Sequence, residues 1–367
     1  MRSENFRYLP EIDHLRLLAA LLVFGFHYCH YFYGNWQPLP QAALLGPLIE
    51  GHTGVSLFFV LSGFIFMSIA DANPAINYRR FIRNRVLRIA PLFLVVFIVA
   101  ISVGRDRFEA IDLLYVFVTN LGDAPTSWHF ITGPAWSISV EFTFYLVFPF
   151  LASFVKREGA LYLVKLMALM MIIKLGAFIA SDGSRHMLYS TLVGRFDQFL
   201  IGMVGALVYA GQRTKLEQHG RWILPIAALL TYGAICIQAR WFSLQAPDHG
   251  HSFWLLWPSV EAALWGSVLL GYLGARLELP VWLNQVLSRG GEMSFSLYMW
   301  HALVIVAVFS LTGPASSPAL LALLSIPVLA ALLVVGWLSF TCIERPFLQM
   351  RYSYVSAVDL TTRSAPP

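Results

Sequence analysis

Residues 12–30 read "IDHLRLLAALLVFGFHYCH", a membrane-length apolar run with Arg16 near its start and His27 deep inside it. About 20 apolar residues in a helix cross a bilayer core, and an ionisable group inside such a helix is expensive. The two residues stand eleven positions apart. At ~100° per residue that is only ~20° from a whole number of turns, with a rise of ~16 Å. Arg16 and His27 therefore share one helix face at two depths. Two readings follow. In one, Arg16 snorkels to the membrane boundary and His27 is a hydrogen-bonded core residue. In the other, both face a polar cavity, where an imidazole that takes up and returns a proton suits a general base.

The rest of the chain repeats the apolar pattern. Of 367 residues, 58% are apolar or aromatic and 12% charged, against ~25% charged in ordinary soluble domains. Mean hydropathy is +0.66. Ten candidate spans fall at roughly 16–34, 54–70, 89–104, 134–155, 160–180, 188–210, 222–239, 253–274, 294–311 and 319–342. Segment 109–121, "EAIDLLYVFVTNL", is amphipathic and too short to span, and is expected to lie at the interface or re-enter. The alternating ~10-residue segments of a membrane β-barrel do not dominate. The expected fold is an all-α polytopic membrane protein, with about ten transmembrane helices around a central polar cavity. Residues 1–350 are expected to form one transmembrane domain, and 351–367, ending "TTRSAPP", a flexible tail.

The net charge of +5 does not imply nucleic acid, because the basic residues cluster in short loops as membrane orientation requires. One side holds Arg2, Arg7, the run from Arg79 to Arg88, Lys156, Arg157, Arg213, Lys215, Arg221, Arg276, Arg289, Arg345 and Arg351. The other holds Arg105, Arg107, Arg185 and Arg240. This asymmetry places both termini in the cytoplasm. Glu4, Glu11 and Asp13 spoil the basic region of a signal peptide, so the first helix is expected to be retained. Cys29, Cys236 and Cys342 lie in apolar segments without metal-like spacing and read as small buried hydrophobes, with no metal site implied.

Further charges interrupt later spans. In "RRFIRNRVLRIAP" (79–91), Arg85 and Arg88 share a helix face. They suit a phosphate-bearing ligand through bidentate guanidinium contacts, or serve as a positive-inside anchor. In "GPAWSISVEFTFYLVFP" (133–149), Glu141 lies in an apolar run near Trp136, Ser137, Ser139 and Tyr145. A carboxylate at that depth must be paired or protonated. Either it forms a buried pair with an arginine such as Arg195, or it orients a catalytic base or holds a substrate hydroxyl. "VGRFDQFLIGMVGA" (193–206) adds Arg195 and Asp197, and "SFSLYMWHALV" (294–304) adds His301. Gly54 and Gly63 in "GHTGVSLFFVLSGFIF" (51–66) read as close helix approaches rather than a phosphate loop.

These motifs, with "FIRNRVLRIAP", "GRFDQFLIG" and "ERPF" (344–347), occur in an order and spacing that resembles the acyltransferase-3 family of integral membrane acyltransferases, from about residue 10 to residue 347. Such proteins acylate, most often acetylate, extracytoplasmic glycans. The resemblance implies that Arg16 and His27 match the family's essential arginine and histidine. It equates Arg85 and Arg88 with its R-x-x-R motif and Glu141 with its acidic W-S-x-x-x-E residue. His301, Glu344, Arg345 and Pro346 match later motifs. Some members carry a fused SGNH hydrolase-like domain. This chain is expected to act without one, a final hand-off either needing a separate periplasmic partner or being unnecessary.

The implied enzyme is an acyltransferase of the bacterial inner membrane that moves groups other than amino-acyl groups. Its donor co-substrate is acyl-CoA, acetyl-CoA above all, with no tightly bound cofactor, and its acceptor is a glycan or glycolipid hydroxyl. His27, Arg16 and Glu141 are the expected catalytic residues, His27 acting as general base on the acceptor hydroxyl or briefly carrying the acyl group itself, and Arg85 and Arg88 hold the phosphates of acyl-CoA. Trp136, Ser137, Arg195, His301, Glu344 and Arg345 line or support the cavity. Glu141 is pictured as the third member of a triad-like arrangement, or as the balance to a nearby arginine. Two readings compete. A glycan or solute transporter would use the charges as a translocation path, and a structural subunit would not need them.

Overall fold

In the computed structural model, residues 8–34, 43–73, 75–103, 133–180, 184–244 and 252–355 are described. Among them, ten helices are long and apolar enough to cross a membrane. We label them α1 (Pro10–Cys29), α2 (Thr53–Ala72), α3 (Tyr78–Val103), α4 (Trp136–Glu158), α5 (Leu161–Ala180), α6 (Leu192–Gly211), α7 (Arg213–Trp241), α8 (Phe253–Ala275), α9 (Ser294–Thr312) and α10 (Pro318–Ser339). The amphipathic segment 109–121 lies outside the described residues. A twelve-residue helix, Val281–Glu292, packs on α1 between α8 and α9. Short connections such as Gly159–Ala160 and Gln212 reverse the chain between successive helices, and the residues before α1 and after α10 meet at one cavity, where Tyr8 lies with Arg351 and Tyr354.

Burial sorts the helices into layers. The apolar stretch of α2 is 83% buried, whereas that of α5 is 11% buried and that of α10 is 17% buried. Helix α2 is thus the central post. Helices α5, α7 and α10 turn Ile172, Ile179, Leu229, Ile237, Ile326 and Val334 outward. In water such a surface would aggregate; in lipid it is the favourable one. Cys29 is buried, but Cys342 is exposed and Cys236 half-buried, and all three are free thiols. The expectation that all three are buried fails at Cys342 because the end of α10 is peripheral.

Lipid offers no hydrophobic drive between helices, so close backbone approach must hold them. Helices α2 and α6 meet at Gly63 and Gly202. A Cβ on Gly63 would lie 2.1 Å from the Phe199 carbonyl oxygen, and one on Gly202 would lie 2.2 Å from that of Val60. Gly54 similarly lies against α1, where its Cβ would meet the Ala19 carbonyl oxygen at 2.3 Å. These approaches seat α1, α2 and α6 around the polar interior.

The chain beyond α10 does not leave the bundle at residue 351. Residues 351–355 return along α3, with Tyr354 2% exposed. Asn77 N donates to the Tyr354 carbonyl (2.8 Å), and Ile76 and Val355 form an antiparallel bridge. The polar end of the sequence suggests a tail from 351, but Tyr354 gives its first residues a ring to bury.

Candidate active site

Two adjoining cavities enter the bundle from the face on which α1 begins. The larger, about 150 Å³, is lined by Tyr8, Asp13, Arg16, Arg85, Arg88, Glu292, Arg351 and Tyr354 among apolar neighbours. The smaller, about 70 Å³, reaches deeper and is lined by Ser62, Ser137, Glu141, Tyr145, Ser294 and Tyr298 among aromatic and aliphatic side chains. Arg16, Ile65, Phe66, Arg85 and Arg88 border both. The guanidinium groups therefore stand at the neck between the two chambers.

The helical period of α3 separates its arginines. Arg79, Arg80 and Arg83 are exposed, while Arg85 and Arg88 are half-buried and turn inward. The Arg85 guanidinium lies 4.9 Å from the Phe66 ring, 5.5 Å from Phe81 and 5.7 Å from Tyr145. Arg88 lies 5.8 Å from the Phe295 ring. Aromatic faces hold a cation without neutralising it, so the charge stays available to a ligand. Arg16 is paired with Asp13 one turn earlier (3.1 Å).

Glu141 accepts a hydrogen bond from Ser62 Oγ (2.6 Å), which ties α4 to α2. Tyr145, one turn on, lines the same chamber. Glu141 does not reach His27. His27 Nδ1 donates instead to the Val23 carbonyl (2.9 Å) on its own helix. A backbone carbonyl thus occupies the place of the orienting carboxylate in a triad. Glu141 lines the deeper chamber with Arg85 and Arg88, and among the described residues it forms no ion pair with Arg195.

His301 is held in the same way, its Nδ1 bonded to the Tyr298 carbonyl. A carbonyl only accepts, so both neutral imidazoles carry the proton on Nδ1 and present a lone pair at Nε2. The two rings lie 4.7 Å apart, joining α1 to α9. His27 is half-buried, and His301 is 1% exposed, its Nε2 having no hydrogen-bond partner among the described residues. Tyr298 connects this pair to the deeper chamber. Its hydroxyl lies 2.6 Å from Ser137 Oγ and donates to the Pro134 carbonyl at 2.8 Å.

Other charged residues form separate networks. Arg195 is fully buried, donates to the Tyr189 carbonyl (2.5 Å) and to Ser56 Oγ (3.2 Å), and pairs with Glu261 (3.5 Å) rather than Glu141. Trp136 packs over Arg195 at 5.8 Å, in support of that network. Asp197 pairs with Lys174 (2.8 Å). Glu344 is buried and accepts from Ser296, closing α9 onto the end of α10. Arg345 is exposed and lines neither chamber. Among the described residues no trio of His, Cys, Asp or Glu is placed to hold a metal ion.

Sequence reasoning did not single out Ser62, Tyr298 or Arg351 at the chambers, nor Glu50, His52 and Glu261 elsewhere. Glu50 and His52 form a buried pair (2.8 Å) beside Gln238. Ser62 and Tyr298 lie in quoted motifs, but an uncharged hydroxyl in an apolar run gives no signal by itself. Outside the spans, burial raises the pKa of Tyr8 and Tyr354, so both phenols remain hydrogen-bond donors toward the larger chamber.

A model of the family described as "Acyltransferase domain" matches residues 9–342. The chain is 28% identical to "Acyltransferase MdmB" of Streptomyces mycarofaciens, over 98% of this chain and 97% of that protein. It is 24% identical to "O-acetyltransferase OatA" of Staphylococcus aureus, over 83% of this chain but 52% of that protein. It is 26% identical to "Putative peptidoglycan O-acetyltransferase YrhL" of Bacillus subtilis, over 83% of this chain and 50% of that protein. The chain thus spans about half the length of these last two relatives. No solved structure matches it.

Proposed function

Since this multi-pass membrane protein belongs to the acyltransferase-3 family, we propose that it moves an acetyl group from acetyl-CoA to a glycan hydroxyl. The observation that carries the reading is the pair of chambers with Arg85 and Arg88 at their neck, neither at ion-pair distance from a carboxylate among the described residues. An anionic, elongated donor fits that shape. Its phosphates lie with Arg85 and Arg88, and its thioester arm passes into the chamber of Ser62, Glu141 and Tyr298. The names of two relatives, an O-acetyltransferase and a putative peptidoglycan O-acetyltransferase, favour acetyl as the group and a glycan as the acceptor.

His27 Nε2 takes the proton of the acceptor hydroxyl as its oxygen attacks the thioester carbonyl. The carbon–oxygen bond forms, the carbon–sulfur bond breaks, and the proton passes from His27 to the departing thiolate. Arg16, on the same helix face, steadies the donor from below, and Glu141 holds Ser62 in the deeper chamber. The donor enters from the cytoplasm of a bacterium and the acceptor from the outer face of the inner membrane, directly or through a separate periplasmic partner. No tightly bound cofactor enters this scheme.

Purified protein in detergent, given radiolabelled acetyl-CoA and a glycan extract, should transfer label, and His27→Ala should abolish transfer by a folded protein. Wild-type turnover in that variant removes His27 as the base. Failure of the native protein to consume the thioester removes the reading itself.

A further inference from the structure

Segment 351–355 forms one wall of the larger chamber, and no sequence motif pointed to it. Arg351 and Tyr354 line the chamber together with Arg16, Arg85 and Arg88 of α1 and α3. The segment is strapped in place. Asn84 Nδ2 donates to the Tyr352 carbonyl (2.6 Å), and Tyr352 N donates to Asn84 Oδ1 (3.2 Å). The side-chain amide thus completes the strap as a neighbouring strand would. Arg83 stacks over the Tyr352 ring at 4.5 Å, and the Tyr354 ring meets Phe81 edge-on at 5.3 Å. Asn84 and Phe81 lie on α3 between and beside the arginines, so one helix presents two guanidinium groups and seats a third opposite them.

That third group lacks a neutralising partner. Among the described residues neither Arg85, Arg88 nor Arg351 has a carboxylate within ion-pair distance, and Arg85 Nε is buried without a hydrogen bond. Arg351 Nε donates to the Leu348 carbonyl (3.1 Å), leaving its two terminal nitrogens for the chamber. Burial, then Arg88, Arg85 and Arg16, pull the Arg351 pKa down to about 10, so it remains charged at neutral pH while repelled by its neighbours. Like charges gathered around a half-buried cavity are unfavourable until an anion enters. Guanidinium groups on two opposing segments suit a ligand with more than one phosphate.

We propose that Arg351 is a donor-binding residue, holding a phosphate of acyl-CoA from the strap opposite Arg85 and Arg88. The inference rests on the reading above that acyl-CoA is the donor. A third guanidinium matches the chemistry of CoA, which carries a 3′-phosphate apart from its diphosphate. Arg85 and Arg88 alone, on one helix face, address one side of such a ligand.

Calorimetric titration of the purified full chain in detergent with CoA tests both layers. Arg351→Met keeps an unbranched stem against the strap but removes the charge, and should raise the Kd for CoA by about tenfold or more. Arg351→Lys keeps the charge but loses the fork, and should fall between. Thermal unfolding without ligand checks that each variant is folded, and if Arg351→Met does not fold, Arg351→Lys decides. Wild-type affinity in the folded variants overturns the role of Arg351 and leaves the acyl-CoA reading intact. No CoA binding by the native protein overturns both.

Discussion

Gly63→Ala is a small change that removes no charge, and it should disable the site through the backbone. The added Cβ would stand 2.1 Å from the Phe199 carbonyl oxygen, where real contacts stay above about 3 Å. The obstacle is backbone on both helices, so no side chain can turn aside. Helix α2 must retreat from α6 by about 1 Å. Ser62 is the adjacent residue, and its hydrogen bond to Glu141 is 2.6 Å long. A displacement of that size carries it to about 3.6 Å, outside hydrogen-bonding range. Overpacking costs ~1–3 kcal/mol, and the lost bond to a charged acceptor adds ~1.5–3 kcal/mol.

The measurements are thermal unfolding and acetyl-transfer turnover in one detergent. Gly63→Ala should lower the melting temperature, and turnover should drop by up to ~100-fold, as for a ~1 Å misplacement of reacting groups. Gly205→Ala is the control. Its Cβ would meet only Phe64 Cδ2 at 3.7 Å, an ordinary contact. Helix propensity alone then favours alanine by ~0.5–1 kcal/mol. If Gly63→Ala melts and turns over like Gly205→Ala, the close crossing of α2 and α6 does not set the geometry of the chambers.

Two further outcomes follow from the charges. Glu261→Gln leaves the fully buried Arg195 without its counter-charge, a loss of ~3–5 kcal/mol for a broken buried pair; the melting temperature should fall while the KM for acetyl-CoA holds, and a changed KM would tie this network to donor binding. Donor affinity should rise as pH passes ~6, where a phosphate monoester gains its second charge. Above that pH it should hold, because the guanidinium groups stay charged. An affinity insensitive to pH across that limit contradicts phosphate–arginine recognition.

The helical fold was legible because each span must satisfy its own backbone in lipid, which leaves long apolar runs in the sequence. All ten expected spans meet helices, with α3 and α7 beginning well before their apolar cores. At Tyr78 and Arg213 polar turns extend the helix past the membrane boundary, where hydropathy gives no signal. The face shared by Arg16 and His27 was legible from spacing, but the depth at which each meets a partner was not. Arg16 opens into the chambers, whereas His27 meets His301 beyond Tyr298. Pairings between helices distant in sequence, such as Arg195 with Glu261, depend on packing that no local pattern encodes. The same holds for Arg351, which follows the last span and acquires meaning only when the strap folds back on Asn84.

The pairing of charges, more than their presence, separates scaffold from site in this interior. Lys174 with Asp197, Arg195 with Glu261, and His52 with Glu50 are each almost fully buried beside an opposite or titratable partner. Such groups meet their desolvation cost within the protein and have little left to offer a ligand. Arg85, Arg88 and Arg351 are half-buried, caged by aromatic rings or backbone, and have no carboxylate at ion-pair distance among the described residues. The mutual repulsion of these cations favours an anion among them. An ionisable residue in a span is by default a functional candidate. Here that default is refined by asking whether the protein already neutralises it. By that criterion Arg195 belongs with the scaffold despite lying in a recognisable motif, and Arg351, the proposed donor-binding residue, stands out despite lying outside one.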